Sequence, residues 1–379
     1  MINLVLSFDL VIFPNIPSFV NYLVVSNGTG FPPEKYSVLP GIAVDFFRFF
    51  LYSSGILKRE ERELMAGTAI IGTVFVDIKG YPDDIYCPTG RNIGTVKMIP
   101  GGVCRNVAEN FGSLGMPAQF ISSVDRSAVG QEVRRQLTEG GIDTHYIVEG
   151  ENAMGLWLAV FDEKGDLAGS ISHQPDFSAL EALIREKGDR IISDCDNIIL
   201  EIDMNEVIAS LVLELAQRYG KKVYVIVGNM GIILKRPEFL KRVDCFICNE
   251  IEAGRLFGRN LDGLDPAAML RFLPGAADGA GIPSMIVTMG SRGAVYYDSR
   301  TREAGICPAL PCRLIDSTGA GDAFLSGAVM ALTRGLPLSV AVRAGAKLAS
   351  LVIQRVENAS PPVPDFFAEF ESAAKQPSL

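Results

Sequence analysis

Residues 316–324 read DSTGAGDAF. Two carboxylates, Asp316 and Asp322, bracket a turn that holds Gly319 and Gly321, and the following FLSGAVMALTRG has the pattern of a helix. Glycines let a chain turn tightly and bring backbone N–H groups close to a ligand. A helix that starts there aims its unpaired N–H groups and the positive end of its dipole at the same spot, which suits an anion. A bare carboxylate beside an anion would normally repel it. Its presence makes sense when the acid takes a proton from a nucleophile that then attacks a bound phosphoryl group, and Asp322 is placed for that. The plain alternative is an N-cap, because Asp and Gly are common at helix starts.

Few other side chains offer chemistry. The chain has seven cysteines and two histidines, His145 and His173. Cys245 and Cys248 have CxxC spacing, but they sit in VDCFICNE, an apolar run that reads as a buried strand. No second pair completes a zinc site. The cysteines read as small buried hydrophobes in a reducing cytosol, and an odd count fits poorly with a secreted disulfide framework. A net charge of −9 argues against nucleic acid or an anionic membrane as the partner. It leaves room for a nucleotide in a local site.

The elements that must position Asp322 alternate along the chain. TAIIGTVFVDI reads as a strand, and GGVCRNVAENFGSLG as a helix with Val103, Val107 and Phe111 on one face. PAQFISSV is a strand, VGQEVRRQLTEGG a helix closed by glycine, and GLWLAVFDEKGDLAGSIS a hairpin turning at DEKGD. DNIILEID, NEVIASLVLELAQRYG, KKVYVIVG and VDCFICNE give strand, helix, strand and strand, and SMIVTMGSRGAVYYD gives two strands around a glycine turn. The alternation predicts an α/β fold with a mostly parallel central sheet and helices on both faces, a three-layer α/β/α domain over residues 66–370. Residues 78–99 interrupt the pattern with turn residues and short apolar runs, and together with 153–172 they read as a small β lid. An exposed lid edge offers a surface for pairing into a homodimer.

Residues 1–65 stand apart. The first thirty are apolar and lack the basic start of a signal peptide, and Pro14, Asn15, Pro17 and Asn21 break the uncharged run that begins at Leu10. That makes a poor membrane helix. The globular pattern begins only at Met65, so the first 65 residues read as an atypical extension, with Met65 a candidate for the true start.

DSTGAGDAFLSG resembles the C-terminal signature of the ribokinase-like (PfkB) family of sugar and nucleoside kinases. PGGVCRNVAENFGSLG resembles its N-terminal glycine-pair signature, CNEIE its Asn-x-x-Glu element, and VTMGSRGA its nucleotide-side loop. The matches come in the family's order over roughly residues 66–365. GRNIGTVKMIPGGVCRNVAEN and EGENAMGLWLAVFDEKGD are similar to the pseudouridine-kinase-like branch.

The resemblance implies a ribokinase-like fold and an ATP- and Mg²⁺-dependent phosphotransferase. Its acceptor would be a hydroxymethyl group on a ribose-containing nucleoside, pseudouridine-like, or on a free sugar. Asp322 then corresponds to the catalytic base, and Gly319, Ala320 and Gly321 to the anion hole. Thr288, Gly290, Gly293 and Asn249 correspond to the ATP side, and Glu252 to a water-mediated Mg²⁺ contact, its plain alternative being a solvated acid at a helix start. Asp316 and Thr318 fall where many members build a monovalent-cation site, usually for K⁺. Asp77, Gly101, Gly102 and Asn106 correspond to the sugar side, with Asp77 read as the end of the first strand. Arg105 has a plain reading as a solvent-exposed helix residue.

The chain departs from the family in places. Phe75 stands where an Asn is common, which removes a sugar contact or puts an aromatic ring against a base. Ile226 stands where an Asp is usual, leaving Asn229 or Lys235 to replace lost contacts, while Glu201 and Asp203 could touch the acceptor or the nucleotide edge. A non-catalytic sugar or nucleoside sensor is the rival reading, opposed by the intact Asp322. A dinucleotide oxidoreductase is disfavoured because no GxGxxG follows the first strand.

Overall fold

The computed structural model describes residues 67–374, so the expectations for residues 1–65 concern residues outside this range. Strands β1 (Thr68–Ile71), β2 (Phe75–Pro82), β3 (Gly94–Gly101), β4 (Ala118–Asp125), β5 (Ile147–Gly150), β6 (Gly155–Phe161) and β7 (Leu167–His173) come first. They are followed by β8 (Asn197–Glu201), β9 (Lys222–Ile226), β10 (Cys245–Asn249), β11 (Ser284–Thr288), β12 (Ala294–Asp298) and β13 (Ala304–Cys307). Nine form one sheet in the order β13-β12-β11-β10-β9-β8-β1-β4-β5. It is parallel from β11 to β5, and β12 and β13 run antiparallel at one edge.

A parallel sheet covered on both faces needs strands that are apolar throughout. TAII and NIILE satisfy this, and the period of two divides their side chains between two cores. Ile70 and Ile199 join one core with Val107 and Phe111 of the helix Val103–Ser113 and Val329 of the helix Ala320–Thr333. Ala69, Ile71, Ile198 and Leu200 join the other with Ile184 and Ile191 of the helix Ser178–Asp194 and Val212 of the helix Glu206–Tyr219. No helix among the described residues is long and apolar enough to cross a membrane.

TAIIGTVFVDI is not one strand. It breaks at Gly72, where an added Cβ would lie 2.4 Å from the Cys104 side chain. Thr73 then turns out of the large sheet because Glu201 at the end of β8 accepts both its N–H (2.9 Å) and its hydroxyl (2.8 Å). The second half becomes β2 of a separate four-stranded sheet, ordered β3-β2-β6-β7. Asp77 therefore lies inside a strand of the small sheet rather than at the end of the first strand.

The small sheet presents two unlike faces. Val96, Met98, Leu158 and Ile171 are exposed on one. Phe75, Asp77, Lys79 and Tyr81 alternate onto the other, where Trp157 pairs in register with Asp77 and the Tyr81 and Phe161 rings stack 4.9 Å apart.

Candidate active site

Asp322 is the third residue of the helix Ala320–Thr333, whose N-cap is Gly319. Gly319 takes φ 78°, a left-handed conformation that other residues adopt at a cost, and an added Cβ would lie 2.4 Å from the Asn358 carbonyl oxygen. No side chain caps this helix start. Ala320 N–H turns back to the Ser317 carbonyl at 3.2 Å, and open space surrounds Gly321. An anion at this mouth would meet the N–H groups of Gly321 and Asp322, whereas the Ala320 amide is already engaged.

The Asp322 carboxylate is recessed, and Asn106 Nδ2 donates to its Oδ2 at 2.7 Å. An amide could present either end, and here its neighbour decides. Arg105 Nη1 donates to Asn106 Oδ1 at 3.1 Å, which leaves Nδ2 for Asp322. Arg105 is only 4 % exposed, against the reading of it as a solvated helix residue. Its Nη1 also donates to the Pro100 carbonyl (2.9 Å) and its Nη2 pairs with Glu109 (2.7 Å), while Nε has no partner.

Asp77 is buried beside these groups. Its carboxylate occupies the space that a side chain at Gly101 would need, since a Cβ there would come within 2.7 Å of it. Burial pushes Asp77 up to about 6, against the opposing charges of Lys79 and Arg105. Burial likewise pushes Asp322 up to about 7; the Asn106 hydrogen bond opposes the rise, and the charges of Asp77 and Glu252 add to it. A carboxylate that titrates near neutrality can accept a proton from an alcohol in a way an ordinary surface aspartate cannot.

The residues expected on the nucleotide side gather at the carboxyl ends of the parallel strands, where ligands bind in open α/β sheets. Asn249 ends β10 and Thr288 ends β11, side by side in register. Gly290 and Gly293 follow β11 in a tight turn, both with positive φ. Asn249 and Glu252 form a reciprocal cap: Asn249 Oδ1 accepts from Glu252 N at 2.9 Å and Glu252 Oε2 accepts from Asn249 N at 2.8 Å. Glu252 is thus a capping acid and half-buried rather than solvated. Its Oε1 stays uncommitted, and burial raises its affinity for a proton.

Glu201 and Asp203 are both engaged by backbone groups within the fold. Glu201 holds Thr73, and burial pushes it up to about 7. Asp203 accepts N–H bonds from Gly228, Asn229 and Met230 at 2.9, 2.7 and 2.6 Å. Asn229 is itself engaged with Gly231 N–H, Lys235 is exposed, and Ile226 is buried in the core.

Asp316 and Thr318, the pair expected at a monovalent-cation site, face a lysine in this structure. Lys79 Nζ lies 3.3 Å from Asp316 Oδ2 and 3.0 Å from Thr318 Oγ1. The other carboxylate oxygen accepts Thr318 N–H (2.8 Å) and O–H (2.7 Å). Burial works to raise Asp316, but the Thr318 bonds and the Lys79 charge hold it below the usual carboxylate range. No motif marks Lys79. Its signal is spacing: in FVDIK, Asp77 and Lys79 share one face of a strand.

A three-layer α/β/α domain with a small β sheet and an acid at a glycine-capped helix mouth defines a ribokinase-like phosphotransferase fold. The description "pfkB family carbohydrate kinase" matches residues 65–365, and the chain belongs to that family: it is a sugar or nucleoside kinase. It is 32 % identical over 291 residues to the guanosine-inosine kinase of Exiguobacterium acetylicum, covering 76 % of this chain and 95 % of that one. It is 28 % identical over 278 residues to the pseudouridine kinase of Escherichia coli, covering 72 % of this chain and 86 % of that one. Among solved structures, Arabidopsis thaliana ribokinase complexed with ribose and ATP superimposes with a TM-score of 0.68 at 21 % identity, covering 82 % of this chain and all of that one.

Proposed function

We propose that the protein transfers the γ-phosphoryl group of ATP to the hydroxymethyl group of a ribose nucleoside. The observation that carries this is the recessed Asp322 carboxylate at a helix start that no side chain caps, held by Asn106 at 2.7 Å. Asp322 takes the hydroxyl proton as the oxygen attacks, and the amides of Gly321 and Asp322 meet the charge that develops on the transferring group. Gly319 keeps the turn open in the conformation that aims them. Asp77 and Asn106 orient the ribose hydroxyls, with Gly101 and Gly102 letting the backbone come close. Thr288, Gly290, Gly293 and Asn249 line the ATP side. Glu252 has one free carboxylate oxygen, which fits a water-mediated hold on Mg²⁺; the ion, bound with ATP, neutralises phosphate charge.

Two features favour a nucleoside over a free sugar. Phe75 and Trp157, both half-buried, flank Asp77 on the inner face of the small sheet and offer aromatic faces to a base. Two of the similar proteins are named as nucleoside kinases. The small sheet acts as the lid that excludes water, which would otherwise take the phosphoryl group. Its outer edges serve pairing of two copies, which light scattering measures directly. The seven free thiols fit a reducing cytosol.

The test is an acceptor panel with MgATP: guanosine, inosine, pseudouridine and ribose, with Asp322→Asn as control. Phosphorylation of a nucleoside in preference to ribose, lost in the variant, is expected. Turnover retained by Asp322→Asn removes the base assignment, and preference for ribose removes the nucleoside reading.

A further inference from the structure

Lys79 is 1 % exposed, the largest fully buried side chain among the described residues. An ammonium taken from water needs charged or polar partners. Its partners are Asp316 Oδ2 and Thr318 Oγ1, both in the segment leading into the turn at residues 319–321. These contacts join a lid strand to a loop more than two hundred residues further along the chain. The remaining Asp316 oxygen is taken by Thr318, so both carboxylate oxygens already face proton donors.

We propose that Lys79 is the built-in cation of this site: its ammonium fixes the 316–321 turn for the incoming phosphoryl group, and the chain therefore works without a monovalent metal ion. The inference rests on the kinase reading above. A free K⁺ at Asp316 would stand against the ammonium across a single carboxylate. The side chain is buried, and its two partners hold the ammonium in place. A tethered charge also differs from a dissolved ion in what it couples. Lys79 stands two residues from Asp77 on the same face, so ordering the lid strand around the acceptor and ordering the anion turn become one event. Lys79 acts through Asp316 and Thr318 and is a positioning residue.

The experiment uses the full chain with MgATP and its best acceptor, in tetramethylammonium chloride and then in KCl at equal ionic strength. Wild-type kcat is expected to be the same in both salts, and its Tm likewise. Lys79→Met is expected to lose about tenfold or more in kcat with a smaller change in the KM for ATP. Part of that loss should return with K⁺ but not with tetramethylammonium, and K⁺ should raise the variant's Tm, which a merely structural lysine would not produce. Lys79→Arg, which keeps the charge, should stay indifferent to K⁺. A wild-type kcat raised about tenfold by K⁺, a K⁺-specific rise in wild-type Tm, or an unimpaired Lys79→Met overturns the inference. Should Lys79→Met not fold, the wild-type comparison decides alone. Should no acceptor be phosphorylated in any salt, the kinase reading fails, and the Tm comparison still decides the cation question.

Discussion

Replacing Asn106 by Ala should move the acidic limb of the pH–rate profile upward. Asp322 must be ionised to act as a base, so kcat/KM falls as pH drops through its pKa, which in the intact site is about 7. The 2.7 Å bond from Asn106 Nδ2 stabilises the ionised form, and Arg105 keeps the amide turned the right way. A hydrogen bond to a charged group contributes about 1.5–3 kcal/mol, and one pKa unit corresponds to about 1.4 kcal/mol. Losing the bond should therefore raise the limb by about one to two units. At pH 7 roughly half of wild-type Asp322 is ionised, against about a tenth to a hundredth in the variant. Initial rates for both proteins at saturating MgATP and low acceptor, from mildly acid to strongly alkaline pH, give the two limbs. The variant should recover much of its rate above the shifted limb, which Asp322→Asn cannot do at any pH. An unmoved limb with a uniformly lower rate would show that Asn106 serves only the acceptor and that Asp322 does not depend on it.

Three further outcomes follow from the same geometry. Glu201 is pushed up to about 7 from an ordinary 4.5, so between those values the native state binds more protons than the unfolded chain and stability falls as pH rises. Glu201→Gln removes up to about 3 kcal/mol of that slope, and thermal melts at pH 5 and pH 8 should lie closer together than in wild type; an unchanged gap refutes the burial argument. Gly319→Ala forces a left-handed backbone with a Cβ 2.4 Å from the Asn358 carbonyl, so urea unfolding should show a loss of at least about 1–2 kcal/mol, with a fall in kcat. Trp157→Ala should lower kcat/KM for nucleosides about fivefold to a hundredfold, the worth of one base–aromatic stack, and leave ribose turnover nearly unchanged. Equal losses for both acceptors would mean that Trp157 supports the lid rather than a base.

What could be read in advance was what is local. DSTGAGDAF announces its turn through glycine and its helix through the apolar residues that follow, so Asp322 and its loop need no tertiary knowledge. The large sheet is equally open to reading, because TAII, NIILE and CFICN are short apolar runs of the kind a two-faced parallel sheet requires. The break at Gly72 is hidden, because it arises from Glu201, which lies 128 residues away and draws Thr73 out of line. That break decides which sheet Asp77 and Lys79 occupy, so the lysine's place in the site is hidden with it. Arg105 is hidden for another reason: its helix position gives no sign that its guanidinium turns to the Pro100 carbonyl of the small sheet.

The electrostatics of the site follow from the same non-local packing. Asp77, Glu201 and Asp322 are all pushed upward chiefly by burial, and the acids near Asp322 strengthen one another's shifts. Such a cluster weakens the folded state at neutral pH, since each ionised acid there is less well placed than in water. The two cations buried among the described residues limit that cost in different ways. Arg105 reaches Asp322 through Asn106 and so tempers the base itself. Lys79 leaves the base alone and compensates the acid that begins the anion turn. On the proposed mechanism this division lets Asp322 keep a high proton affinity while the turn beside it stays fixed, the combination an in-line transfer would demand of a base that must not itself disturb the phosphoryl site.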